Sequence, residues 1–183
     1  MAKNMANQKI INKAKAIRLL LLDVDGVLTD GCLYYGNNGE ELKAFNIQDG
    51  LGIKLLQRNG IQVGIITGRT STLLTRRATE LGIELVVQGR EDKLIALQET
   101  LKETQEQYNY KMEEIAFLGD DLPDVAVIRQ VGLGVAVANA CEFVVKNSHW
   151  QTSTKGGCGA VRELAEMILQ AQDKLDSTLE DYL

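Results

Sequence analysis

Five short apolar runs that do not alternate with polar residues constrain this chain more than any other feature. They are RLLLLD (18–23), IQVGIIT (61–67), IELVVQ (83–88), EIAFLGDD (114–121) and GLGVAV (132–137). A strand with one face in water alternates; a run without alternation is covered on both faces. Segments of helical period fall over 51–59, 71–81, 91–107, 123–130, 141–146 and 159–175. Gly82 follows the second where a left-handed residue ends a helix, and Pro123 opens the fourth. Strand and helix in alternation predict right-handed crossovers. The fold class expected is therefore α/β, a Rossmann-like parallel sheet with helices on both faces. With 183 residues, 45% of them hydrophobic, the chain suits one domain over 1–183 with one sizeable core.

One segment breaks the rhythm. CLYYGNNGEELKAF (32–45) holds two strand-like runs around Asn37, Asn38 and Gly39, residues that tolerate positive φ. It predicts a projecting β-hairpin, a flap placed just after the first apolar run. The C-terminal stretch 156–183 reads as a glycine-rich tail leading into a helix.

The charge balance excludes several classes of function. A net charge of −5 argues against nucleic acid as the main partner, so an anionic ligand has to meet local positive charge or a metal. The single histidine, His149, nearly excludes a His-ligated metal or a Ser-His-Asp triad. Cys32, Cys141 and Cys158 are far apart and odd in number, as reduced cytosolic thiols are. No run approaches the roughly 20 apolar residues of a membrane span, and the N-terminus lacks a signal-peptide core. No membrane partner and a cytoplasmic location are expected.

In open parallel sheets, ligands bind beyond the carboxyl ends of the strands. Four predicted strand ends carry polar residues. These are Asp23 and Asp25; Thr67, Gly68 and Arg69; Gly89 and Arg90 with Lys93 following; and Gly119, Asp120 and Asp121. In a parallel sheet all four reach one edge. Asp23, Asp25 and Asp120 together repel one another unless a cation intervenes, and an all-oxygen donor set suits Mg²⁺. Lys93 adds a compact positive charge, and the Thr67 hydroxyl with the N–H groups after it can bind phosphoryl oxygens. These parts suit phosphoryl transfer. One carboxylate attacks phosphorus, and the other, on the same side of the strand because Val24 points away, handles the proton.

The motifs DVDGVLTDG (23–31), IITGR (65–69), Lys93 and GDDLPD (119–124) are similar in combination to the haloacid dehalogenase (HAD-like) superfamily. GNNGEELKAFNIQDGLGIKLL (36–56) and GGCGAVREL (156–164) extend the likeness over about residues 17–175. There the chain resembles the 3-deoxy-D-manno-octulosonate 8-phosphate (KDO 8-phosphate) phosphatase family. The resemblance implies Asp23 as nucleophile and Asp25 as general acid and base. It implies Mg²⁺ held by Asp23, the Asp25 backbone carbonyl and Asp120, with Thr67 and Lys93 completing the catalytic set. Gly68, Asp121 and Asp124 are supporting residues. Substrate contacts carry over to Asp25, Asn46, Ile47, Gln48, Asp49, Gly50, Arg69, Arg77 and Lys93. Lys54 joins them as a carboxylate-binding candidate where the family commonly has Arg, and Cys158 stands where an Arg is frequent.

The activity expected is hydrolysis of an anionic sugar phosphate, KDO 8-phosphate first, in lipopolysaccharide precursor synthesis. A nine-carbon keto-sugar acid phosphate is a near alternative. A phospho-accepting receiver domain also gathers acids, a hydroxyl and a lysine on strand ends, but a second acid two residues after the nucleophile would help hydrolyse its phosphate. A non-catalytic module that kept the fold would not need both acids.

Neither interval between motifs has room for a cap domain: residues 31–66 number 36 and residues 94–119 number 26. Leu33, Tyr34, Tyr35, Leu42 and Phe45 load the hairpin with apolar surface, and a lone two-stranded ribbon is marginal in water. Hairpins of several copies are therefore expected to pair. The resemblance favours a homotetramer, with the flexible 156–159 stretch reaching a neighbouring site.

Overall fold

A computed structural model describes residues 2–37, 41–106 and 109–183. Its centre is a parallel sheet of β1 (Leu19–Leu22), β4 (Gln62–Ile66), β5 (Leu85–Val87), β6 (Ile115–Gly119), β7 (Leu133–Ala136) and β8 (Trp150–Gln151). The spatial order is β5-β4-β1-β6-β7-β8. The five expected strands are present; β8 is a two-residue addition that sequence periodicity cannot detect. Successive leucines of β1 enter opposite cores. Leu20 and Leu22 pack with Val63 and Ile65, whereas Leu19 and Leu21 pack with Ile66 and Phe117. Full burial of each such side chain contributes about 1.5–3 kcal/mol, which is why the run cannot alternate.

Helices α2 (Ile47–Arg58), α3 (Thr72–Leu81), α4 (Lys93–Glu103), α5 (Val125–Gln130), α6 (Glu142–Asn147) and α7 (Ala160–Ala171) follow the expected segments with shifted ends. Helix α2 starts four residues before the expected 51 because Asn46 caps it, its Oδ1 accepting from Gln48 N at 2.7 Å. Helix α4 is shorter than 91–107, and Gln107 lies outside the described residues. The segment 123–130 divides into a 3-10 turn, Leu122–Asp124, and α5. Asp173, at φ 57°, separates α7 from α8 (Leu175–Glu180), where one helix over 159–175 was expected.

Helix α1 (Ala2–Lys15) was not anticipated. Its apolar residues are sparse, and tertiary contacts hold it: it packs on α7, and Lys13 Nζ donates to Gly132 O at 2.7 Å. No helix among the described residues is long and apolar enough to cross a membrane.

The expected hairpin is a separate antiparallel pair, β2 (Tyr34–Tyr35) and β3 (Glu41–Leu42), in register Tyr34↔Leu42 and Tyr35↔Glu41. The expected turn residues Asn38 and Gly39 lie outside the described residues. Leu33, Tyr34, Tyr35 and Leu42 are exposed. Phe45 is not part of that surface: it is half-buried against the main core and carries the Arg77 guanidinium 5.9 Å from its ring centre.

From β1 the chain passes to β4 and β5 on one side, then returns to β6 on the other. The order reverses between β1 and β6, and a crevice opens beyond their carboxyl ends. Asp23 follows β1 and Asp120 follows β6.

Candidate active site

Three carboxylates meet at this crevice. Oxygens of Asp23, Asp120 and Asp124 lie within 4.8 Å of one another. Lys93 Nζ, at the start of α4, is 2.7 Å from Asp23 Oδ1 and 2.6 Å from Asp124 Oδ1. Far from being a solvated surface lysine, Lys93 is buried. Burial pushes its ammonium down, but Asp23 and Asp124 outweigh this and the net shift is upward.

Asp124 closes the motif on itself. Its Oδ2 accepts from Asp120 N at 2.9 Å and Asp121 N at 3.2 Å, so the strand end and the following turn are fixed. Asp121 Oδ1 in turn accepts from Leu122 N at 2.8 Å. With Asp124 held by Lys93 and two N–H groups, Asp23 and Asp120 are the acids left to face a ligand.

Their electrostatics call for a cation. Burial, then Asp23 and Asp124, push the Asp120 carboxyl up to about 8. Burial, then Asp124, push Asp23 up to about 6, against the pull of Lys93. Asp120 Oδ1 is buried with no hydrogen-bond partner among the described residues. An orphaned buried oxygen beside a second carboxylate fits a hard divalent cation such as Mg²⁺. Gly26, at φ 96°, allows the approach: a Cβ there would lie 2.1 Å from Asp120 Oδ2.

Asp25 lies outside this oxygen cluster. Its Oδ1 accepts from Lys43 Nζ, and its Oδ2 is 3.6 Å from Arg69 Nε. Thr67 is buried at the end of β4, its N–H donating to Val87 O and its carbonyl accepting from Arg90 N. Arg90 itself is held by Asp92 and Glu99 at 2.7–2.9 Å, so this strand-end cation is a structural clamp.

Beside Asp25 runs a groove of about 280 Å³, lined by Lys43, Phe45, Ile47, Leu73, Arg76, Arg77 and Glu80. Ile47 is exposed in it. Arg77 passes close to Gly50, where a Cβ would lie 2.4 Å from its Nη2. Gln48, next to the Asn46 cap, is exposed near Gly159.

Two substrate-contact expectations fail. Asp49 is buried, with Oδ1 accepting from Arg162 N at 2.9 Å and Oδ2 from Gly159 N at 3.3 Å. Its carboxylate caps the start of α7, so the side chain positions the tail. Lys54 lies two turns along α2, toward the opposite sheet edge. Its Nζ donates to Leu81 O at 2.6 Å, closing the carboxyl end of α3. It lines a different cavity, of about 510 Å³, with Gln62 and Val63 at the amino end of β4.

The tail also departs from expectation. Residues 156–159 pack on their own chain rather than reaching out. Gly157 N donates to Val27 O at 2.8 Å, Gly156 N to Asn139 Oδ1 at 2.9 Å, and Asn46 Nδ2 to Gly157 O at 3.3 Å. A Cβ on Gly156 would come 1.7 Å from Gly26 O. The glycines serve close approach to the first motif. Cys158 is exposed on this packed stretch. Sequence reasoning missed Lys43, because a single lysine at a strand end carries no periodic signal.

Comparison with known proteins agrees with this geometry. A family model described as haloacid dehalogenase-like hydrolase matches residues 86–164. The 3-deoxy-D-manno-octulosonate 8-phosphate phosphatase KdsC of Yersinia pestis is 52% identical over 91% of this chain and 87% of its own length. The Escherichia coli K12 protein of the same name is 49% identical over the same shares. A crystal structure of 3-deoxy-D-manno-octulosonate 8-phosphate phosphatase from Moraxella catarrhalis, in complex with magnesium, phosphate and KDO, superposes with a TM-score of 0.92. It is 44% identical and covers 96% of this chain and 99% of its own.

Proposed function

The chain belongs to the 3-deoxy-D-manno-octulosonate 8-phosphate phosphatase family, and from its site we infer that it hydrolyses KDO 8-phosphate to KDO and inorganic phosphate. The observation that carries the reading is the division of labour among the acids. Asp23 and Asp120 share a buried cluster with Lys93, while Asp25 stands apart at the mouth of the groove.

Asp23 is the nucleophile. Lys93 at Oδ1 fixes the rotation of its carboxylate. A carboxylate oxygen attacks phosphorus as the bond to the sugar oxygen breaks, giving an aspartyl-phosphate. Asp25 delivers a proton to the departing sugar oxygen. It then takes one from the water that attacks the aspartyl-phosphate, releasing phosphate and restoring both acids. Asp23, Asp120 and the Asp25 backbone carbonyl would hold Mg²⁺. The ion, when bound, offsets the charge of the transferring phosphoryl group. Thr67, Gly68 and Lys93 border the phosphoryl position. Arg69 and Arg77 supply positive charge for the phosphate and the distal carboxylate of the substrate, with Ile47 lining the groove and Asn46 and Gln48 on the Gly157–Gly159 side of it.

The same reading assigns the chain to lipopolysaccharide precursor synthesis in the cytoplasm, acting as a homotetramer. Exposed Tyr34, Tyr35 and Leu42 support pairing of hairpins between copies. In the absence of a cap, a neighbouring subunit would wall each groove.

The test is phosphate release with Mg²⁺ over KDO 8-phosphate, a nine-carbon keto-acid phosphate and simple sugar phosphates. KDO 8-phosphate is expected to have the highest kcat/KM. Asp23→Asn is expected to lose about 10⁴-fold or more. A tenth of wild-type rate in that variant, or a preference for the nine-carbon substrate, overturns the assignment concerned.

A further inference from the structure

Leu73, Arg76, Arg77 and Glu80 recur at helical spacing along α3, and the face they share lines the groove beside Asp25. Among the described residues lining that groove, Glu80 is the one acid. A carboxylate is out of place where an anionic substrate has to bind, because like charges oppose association. Its contacts explain it. Oε1 is 3.0 Å from Arg76 Nε and Oε2 is 3.5 Å from Arg77 Nη1, so one carboxylate spans both guanidinium groups. The two partners hold it differently. The Arg77 side chain is 22% exposed, set against the Phe45 ring and beside Gly50. Glu80 is 47% exposed, and its closer contact is to the solvated Arg76. An anion arriving at Arg77 therefore displaces Glu80 toward Arg76, while Arg77 keeps its place.

We propose that Glu80 is an internal competitor for the substrate carboxylate at Arg77, and so sets how tightly the groove holds the sugar acid. The proposal rests on the phosphatase reading above, with Arg77 as the seat of that carboxylate. The exchange conserves charge at Arg77: Glu80 draws back onto Arg76 and the substrate carboxylate takes its place. The use of such a competitor follows from where the group lies. The sugar carboxylate is distant from phosphorus and the same in substrate and product, so binding it tightly lowers KM without raising kcat. An unopposed Arg77 would retain KDO after the phosphate has left. Glu80 pairs with Arg77 again as KDO departs and limits that retention.

KDO and its methyl ester, which carries no charge, isolate the carboxylate. Each is measured with Mg²⁺ as a competitive inhibitor of p-nitrophenyl phosphate hydrolysis. Glu80→Gln keeps the shape and removes the charge. It is expected to lower the Ki of KDO about 5-fold, the worth of one partly exposed ion pair, while the Ki of the ester moves less than about 2-fold. The KM of KDO 8-phosphate is expected to fall with the Ki of KDO. In an Arg77→Ala background the same change is expected to shift the Ki of KDO by less than about 2-fold, because nothing is left to compete for. Glu80→Ala serves if the Gln variant does not fold. A shift shared by KDO and its ester, no shift at all, or a full shift that survives Arg77→Ala overturns the proposal. Wild-type protein that releases no phosphate from KDO 8-phosphate overturns the phosphatase reading instead.

Discussion

Gly26 and Asp120 touch across the crevice: a methyl group on Gly26 would lie 2.1 Å from Asp120 Oδ2, on a backbone at φ 96°. The contact joins the loop after β1 to the end of β6, the two sides of the reversal point. Gly26→Ala therefore meets two penalties, a strained backbone worth about 1–3 kcal/mol and displacement of a metal-facing acid. Denaturant unfolding is expected to show that loss of stability. Turnover is expected to fall about 10²-fold, with weaker Mg²⁺ binding by calorimetry, because a displacement near 1 Å is costly at a reacting centre. Wild-type Mg²⁺ affinity in this variant would contradict the assignment of Asp120.

The acid cluster predicts opposite pH trends with and without metal. Asp23 is raised to about 6 and Asp120 to about 8, both from 3.8. The folded metal-free protein thus binds more protons than the unfolded chain across this window. The associated stability is complete below 3.8 and is lost as pH rises through about 6 and about 8. Mg²⁺ needs the ionised acids, so its stabilisation should grow over the same range, toward about 2.7 kcal/mol at a hundredfold excess over Kd. Thermal melts near pH 6 and pH 8, in chelator and in Mg²⁺, check this against Asp120→Asn, which should flatten both trends. An equal Mg²⁺ increment at the two pH values in wild type would remove the acids from the metal site.

Arg77 and Lys54 should separate cleanly although they appear equivalent in sequence. Arg77 lines the groove, and Arg77→Ala is expected to cost KDO 8-phosphate about 1.5–3 kcal/mol in kcat/KM while sparing p-nitrophenyl phosphate. Lys54 closes the carboxyl end of α3 at Leu81. Lys54→Met is expected to leave both substrates unchanged and to lower stability by about 0.3–1 kcal/mol, the worth of a cation at a helix terminus. Equal losses on both substrates for Arg77→Ala would make Arg77 a packing residue of Phe45 instead.

Assembly is tested at Tyr35, which is 67% exposed at the tip of β2. Tyr35→Asp is expected to lower the mass in light scattering toward the 20.2 kDa monomer and to reduce activity on KDO 8-phosphate in parallel. Phe45 is unsuitable for this test because its half-buried ring packs against the main core. A fully active wild-type monomer would refute the homotetramer.

What the sequence by itself determined was the sheet and the acids at its edge. Two-sided burial imposes continuous apolar runs, so β1, β4, β6 and β7 were legible, the half-buried edge strand β5 kept enough of the pattern to be found, and parallel connection then brought Asp23, Asp120 and Lys93 to one edge. Local pattern could not reveal α1 or β8, which tertiary contacts hold. Nor could it tell that Asp49 caps α7, that Lys54 points to the far edge, or that Gly156 lies against Gly26. Those facts depend on where a helix sits and how it is turned, which the summed packing of distant residues decides. For the same reason Lys43 was invisible: its pairing with Asp25 spans 18 residues and exists only once the hairpin is seated.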